Sequence, residues 1–184
     1  MTLAENEPFE RVAVTAELEP LLRLYRRLWI SRDDLHEAKA IIEEIMKSNL
    51  RFPRRKEPSP LLVALTTALV VSYARPFVNS RGQSAVAERT VPGSLLRVLT
   101  SSEREFHNEL VDIRNREVAH SDADVLELSI TLYSDGDGGI SRVPRHPFRR
   151  IELRALDRMI EKLTDEIERL CEELRKQLPL NVWL

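Results

Sequence analysis

Glycine, cysteine and aromatic side chains are all scarce in this chain of 184 residues, which holds five glycines, one cysteine and 5% aromatics. So few glycines argue against a fold built from many tight turns. With 32% charged residues, the composition favours long helices with solvated charged faces over a sheet-rich fold. The single cysteine, Cys171, excludes an internal disulfide and a cysteine-rich metal site, and its apolar helical register makes it a small buried hydrophobe. No run of 18 apolar residues stands out, and the opening "MTLAENEPFE" is acidic where a secretion signal is basic and then apolar. A cytoplasmic protein with no membrane segment is therefore expected. Also missing are a nucleotide-binding glycine loop, zinc-ligand spacing and a nucleophile elbow, and "SDGDGG" at 134–139 lacks the later glutamate of a calcium loop. No metal or cofactor is expected.

The formal net charge is −2, so contact with nucleic acid has to come from local basic clusters and not from the overall field. Two clusters exist, "RFPRRK" at 51–56 and "RVPRHPFRR" at 142–150. Their prolines place both in loops, where blocks of charge are most often solvated linkers. The length suits one domain spanning 1–184, with about residues 1–10 loose at the start.

What is present is helical periodicity. Leu21, Leu24, Tyr25 and Leu28 recur at helical spacing after Pro20. "ISRDDL" then reads as a second helix start, with Ser31 and Asp34 as a capping box and Ile30 with Leu35 as a staple, leading a helix to about Asn49. "PSPLLVALTTALVVSYARPF" is apolar nearly all round, with Ser59 as cap and Pro60 as first residue, and predicts the central helix of the bundle, ending near Arg75. Leu95 to Leu99 predict a short helical turn, and "SSERE" predicts a capping box of Ser102 with Glu105. "VLELSITLY", the turn residues and "ISRV" predict a short β-hairpin. Residues 151–178 carry one leucine and isoleucine stripe and predict a long amphipathic helix. Together these elements predict an all-α fold, a mainly antiparallel four- or five-helix bundle with a short inserted β-hairpin around residues 125–143.

A helical wheel of 103–120 collects Phe106, Leu110, Val111, Ile113 and Val118 on one face. Glu103, His107, Arg114 and Glu117 fall inside that apolar arc, and His120 lies just past its edge. Buried charges need partners, so the face is an open groove, a subunit interface, or a set of pairs such as Arg114 with Glu117 and Glu103 with His107. The stretch "RNREVAHSD" at 114–122 also holds the residue types for RNA cleavage. A histidine can transfer a proton near neutral pH, and an arginine can hold a phosphate oxygen and the charge that develops on it. RNA brings its own nucleophile, the 2′-hydroxyl. On a straight helix Arg114 and His120 stand roughly 120° and about 9 Å apart, so a two-fold pairing of two copies is one way to bring both to one phosphate. Asn115 falls about 100° from Arg114, on the side away from His120.

Arg114, Asn115 and His120, late in a helix of an all-helical bundle, resemble the arginine–polar–histidine motif of HEPN-domain proteins. "FHNELVDIRNREVAHSDAD" and "YARPF" look similar to the abortive-infection branch of that superfamily. The resemblance covers about residues 20 to 178. It implies a homodimer whose paired motifs form a metal-independent endoribonuclease site, as a toxin or phage-defence effector held by a cognate antitoxin or effector protein. Arg114 is then the phosphate-binding residue, Asn115 an orienting one and His120 the proton-transfer residue. His107, Glu117 and Arg75 are the candidates for substrate binding. The alternative is a catalytically inactive bundle of the same type that binds a protein or nucleotide partner.

Overall fold

The computed structural model describes residues 14–48, 50, 52, 58–79, 87–115, 128–132, 138–142 and 150–179. The expected loose N-terminal segment, most of the 51–56 basic cluster, Glu117 and His120 lie outside the described residues. The described chain is mostly helical. It holds four α-helices, α1 (Glu19–Lys47), α2 (Pro60–Ala74), α3 (Ser101–Ile113) and α4 (Arg150–Arg175), with 3-10 turns at Arg75–Phe77 and Gly93–Val98.

The single helix α1 replaces the two helices expected on either side of Ser31. No glycine or proline lies between Pro20 and Ser48, so nothing in the backbone opposes propagation through the joint. The buried stripe of Leu22, Leu28, Leu35, Ala38, Ile42 and Ile45 also runs straight across it. Ser31 is fully buried and its Oγ has no hydrogen-bond partner. A serine that looks like a cap is here a small residue inside a helix.

α2 starts as its sequence predicts, with the Ser59 hydroxyl accepting from the Leu62 amide at 3.2 Å and Pro60 in the first turn. Its end differs slightly, because the chain carries on through Pro76 as a tight 3-10 turn. The Pro76 carbonyl then accepts from the Val91 amide at 3.1 Å, which ties the turn to the segment leading to α3.

α1, and not α2, takes the central place. It packs against α2, α4 and the turn at Arg75–Phe77. α1 and α4 are antiparallel, since Lys39 meets Glu161 at 2.7 Å while Arg32, two turns earlier, lies beside Cys171, far along α4. The α4 stripe follows the sequence pattern: Leu153, Leu156, Ile160, Leu163 and Ile167 are fully buried. Where no apolar run of 18 residues is expected, the stretch Pro60–Phe77 is long and apolar enough to cross a membrane by length and composition, and 44% of it is buried inside the bundle.

Strands β1 (Leu128–Leu132) and β2 (Gly138–Arg142) pair antiparallel, with Leu128 opposite Arg142 and Leu132 opposite Gly138. Residues 133–137 between them lie outside the described residues. The helical bundle is what the described chain supports; it does not establish an inserted hairpin.

Candidate functional site

The site is built on α3. Its start is fixed by a capping box two residues earlier than the sequence suggests: Thr100 Oγ1 accepts from the Glu103 amide at 3.3 Å, and Glu103 accepts from the Thr100 amide at 2.8 Å. Two overlapping S/T-x-x-E signals compete in "TSSERE", and the one nearer the preceding 3-10 turn wins. Glu103 also takes Lys162 of α4, at 2.7 and 2.9 Å. The ammonium first, and the Thr100 amide next, hold the Glu103 carboxyl below its ordinary range. The expected Glu103 to His107 pair is therefore not made.

His107 turns the other way, into the packing between α2 and α3. It is 4% exposed. Its Nδ1 lies 2.9 Å from the Tyr73 hydroxyl, and its ring stands nearly perpendicular to Phe77 at 4.5 Å between centroids. Burial lowers the pKa of His107 and raises that of Tyr73 well beyond the ordinary phenol range, with the charge of Glu103 adding to the second shift. Both groups are thus neutral at pH 7, and one hydrogen joins the two heteroatoms, the imidazole tautomer deciding which donates.

Arg75 faces α1. Its guanidinium meets Glu37 at 2.8 Å and Asp34 at 3.3 Å, and its carbonyl accepts from Arg27 at 2.7 Å. Arg27 is 6% exposed, its Nε has no hydrogen-bond partner, and burial lowers its pKa. Asp34 is pushed up by its own burial, an effect that the Arg75 hydrogen bond opposes. Sequence reasoning missed Arg27 altogether, because an arginine among three others in "RLYRRLWISR" carries no sign that it is the buried one. "YARPF" thus has a structural meaning: Tyr73, Arg75, Pro76 and Phe77 join the end of α2 to α3, to α1 and to the segment before α3.

At the far end of α3 the helix widens to a π-type turn at residues 114–115. Arg114 is half-buried and Asn115 exposed. The two side chains meet, with Arg114 Nη1 donating to Asn115 Oδ1 at 3.1 Å. The regular wheel parts them by about 100°, but neighbouring side chains on a surface can fold back toward each other. Of the six expected site residues, the structure brings Arg114 and Asn115 together, places His107 against Tyr73 and Arg75 against α1, and leaves Glu117 and His120 outside the described residues.

A groove of about 410 Å³ opens elsewhere, between the first turns of α3 and the first half of α4, with Phe106, Ala155 and Met159 among its apolar lining and Glu103, Glu152 and Arg158 among its charges. Phe106 precedes Arg114 by two turns, about 12 Å along the axis. The groove and the Arg114 end are separate places. Among the described residues no three His, Cys, Asp or Glu side chains gather in a way that could hold a metal ion. No family, no curated protein and no solved structure matches this chain.

Proposed function

We propose that the chain is a metal-independent endoribonuclease of the HEPN type, acting in the cytoplasm as a homodimer and serving as a toxin or phage-defence effector restrained by a cognate antitoxin or effector protein. The observation that carries the reading is the Arg114 to Asn115 hydrogen bond at the exposed end of an otherwise firmly anchored α3. Counting the described residues alone, that bond leaves most of the guanidinium donors of Arg114, and both amide hydrogens of Asn115, for phosphate oxygens. In the proposed reaction the 2′-hydroxyl of RNA attacks the adjacent phosphorus and loses its proton to a base. Arg114 stabilises the charge on the non-bridging oxygens, and the departing 5′-oxygen takes up a proton as the P–O bond breaks. His120 of the two copies is the candidate for these proton transfers. The products are a 2′,3′-cyclic phosphate and a free 5′-hydroxyl.

In this reading His107 acts through the position of α3 and Arg75 through the join between α2 and α1, and neither by touching RNA, since Tyr73 holds the first and Asp34 with Glu37 the second. The same reading takes β1 and β2 as a hairpin inserted beside the bundle. Purified protein incubated with RNA in excess chelator is expected to leave cyclic-phosphate ends. His120→Ala cutting as fast as the parent protein rules the reading out.

A second reading, a catalytically inactive bundle that binds a protein or nucleotide partner, is favoured by one observation. Arg75 and His107, two of the three expected substrate contacts, already have partners within the bundle. In that case no variant cuts RNA, and Arg114→Ala weakens partner binding alone.

A further inference from the structure

α3 packs chiefly on α2, whereas α4 packs on α1 and on the 3-10 turn at Gly93–Val98. The first turns of α3 and the first half of α4 leave between them the groove of about 410 Å³. That volume falls in the range of small-molecule sites, about 300–1,000 Å³. Ala155 and Met159, one turn apart on α4, form one apolar wall, and half-buried Phe106 of α3 forms the other.

The charges around this groove are not equally available. Both oxygens of Glu103 are taken, by Lys162 at 2.7 and 2.9 Å and by the Thr100 amide at 2.8 Å. Glu152 has a partner of its own. Arg158 has none among the described residues, and neither has Arg154, one turn earlier along the same edge of α4. Both are exposed. Arg154, Arg158 and Lys162 follow one another at spacings of four, and like charges so placed repel. Of the three, only Lys162 is offset within the described chain, by Glu103. Farther along α4 the arginines are matched, Arg169 by Glu166 and Glu173, and Arg175 by Glu172. Among the described residues, the helix thus leaves positive charge uncompensated at the edge of the groove.

We propose that this groove binds a small organic acid, its apolar body lying between Phe106 and the wall of Ala155 and Met159, and its anionic group meeting Arg158. Arg154 adds to the field that draws the anion in. An arginine suits a carboxylate or sulfonate because the planar guanidinium offers it two parallel donors. An amine in the same place finds both oxygens of Glu103 already used. The groove is separate from the Arg114 end of α3, so this site stands or falls independently of RNA cleavage.

The probe is anilinonaphthalenesulfonate, whose aromatic rings and single sulfonate match the two parts of the groove, titrated into the full chain and followed by its fluorescence. One molecule per chain is expected to bind. Phenylnaphthylamine, the same rings without the sulfonate, is expected to bind more weakly by about tenfold or more, and Arg158→Glu to weaken the sulfonate probe by a like factor. Arg154→Glu is expected to have a smaller effect, and Lys176→Glu, exposed just past the far end of α4, none. Ala155→Trp fills the groove and is expected to abolish binding. If that variant loses its helical circular dichroism, Ser102→Trp, at an exposed position on the α3 side of the groove, takes its place. Indoleacetate is expected to displace the probe, and tryptamine, a similar indole body carrying a positive charge, is not. Equally tight binding of the uncharged probe overturns the proposal, as does an Arg158→Glu variant that binds like the parent protein. Probe bound at many sites, or displaced as readily by tryptamine, overturns it too. Displacement by an RNA oligonucleotide and by no acid assigns the groove to RNA and overturns it equally.

Discussion

The two ends of α3 are held in opposite ways. Its first two turns are fastened by a capping box, by Lys162 from α4 and by the Tyr73–His107 bond from α2. Its last turn ends at Arg114 and Asn115, which bond to each other on the surface. Polar groups at the fastened end are satisfied inside the protein, whereas at the other end Arg114 and Asn115 have, among the described residues, only each other. A helix anchored at one end can present functional groups at the other without those groups having to stabilise the fold.

The largest break in this comparison comes from Leu110, fully buried on the face that α3 shows to the core. Leu110→Ala is expected to cost about 2–5 kcal/mol in denaturant unfolding, and a loss well below 1 kcal/mol means that α3 is not packed as described. Tyr73→Phe is next. It leaves a ring nitrogen of buried His107 without its partner, at a cost of about 1–3 kcal/mol. Adding His107→Phe removes the orphaned group and is expected to restore part of that loss. If the two losses simply add, the hydroxyl and the imidazole are not coupled.

Thr100→Ala removes the cap and is expected to cost about 1 kcal/mol. The capping role fails if Thr100→Ser costs as much as Thr100→Ala.

Acid sharpens the same contrast. The pKa of His107 is lowered in the fold by burial from the unfolded value of 6.5. The unfolded chain therefore binds the extra proton first, so the contribution of His107 is full above that value and declines as pH falls through it. Glu103, three residues from the start of α3 and next to Lys162, keeps its charge below its ordinary pKa of 4.5, so its own loss comes only in stronger acid. Melting temperatures between pH 7 and 5 are expected to fall for the parent protein and to fall less for His107→Phe. Parallel curves for the two show that His107 is not the group concerned.

The smallest effect on stability is expected at the Arg114 end. Arg114→Ala and Asn115→Ala should change unfolding free energy by no more than about 0.5 kcal/mol, while RNA cleavage under the proposed function falls away in Arg114→Ala. Large destabilisation by either variant makes that end a structural element like the other.

Much of the helical framework is legible along the chain. Ser59 and Pro60 announce α2, and the leucine and isoleucine stripe announces α4, its start to within one residue and its end three residues past Arg175, because caps and periodicity are local properties. "ISRDDL" misleads, since a capping signal is only an option for a backbone that can also continue as helix. In "TSSERE" the pattern names the device but not which threonine or serine uses it. The candidate site is read from the sequence as residue types and not as contacts. Arg114 and Asn115 are singled out by a motif, yet their hydrogen bond runs against a regular wheel. Glu103 and His107, neighbours on the wheel, find partners on two different helices.

Local chemistry in the sequence thus determined that the chain is helical, where α2 and α4 begin and which faces of α1 and α4 are apolar, since each depends on residues within a turn or two of one another. Only the tertiary structure decided that α1 lies at the centre, that His107 is sealed against Tyr73 and Phe77, that Arg27 is the arginine buried among the described residues, and that Leu61, Ala64 and Ala68 of α2 stay exposed. Those outcomes depend on which elements meet across 34 to 122 residues of chain, and whether a polar group is satisfied or a face is covered is a property of the neighbour that arrives there.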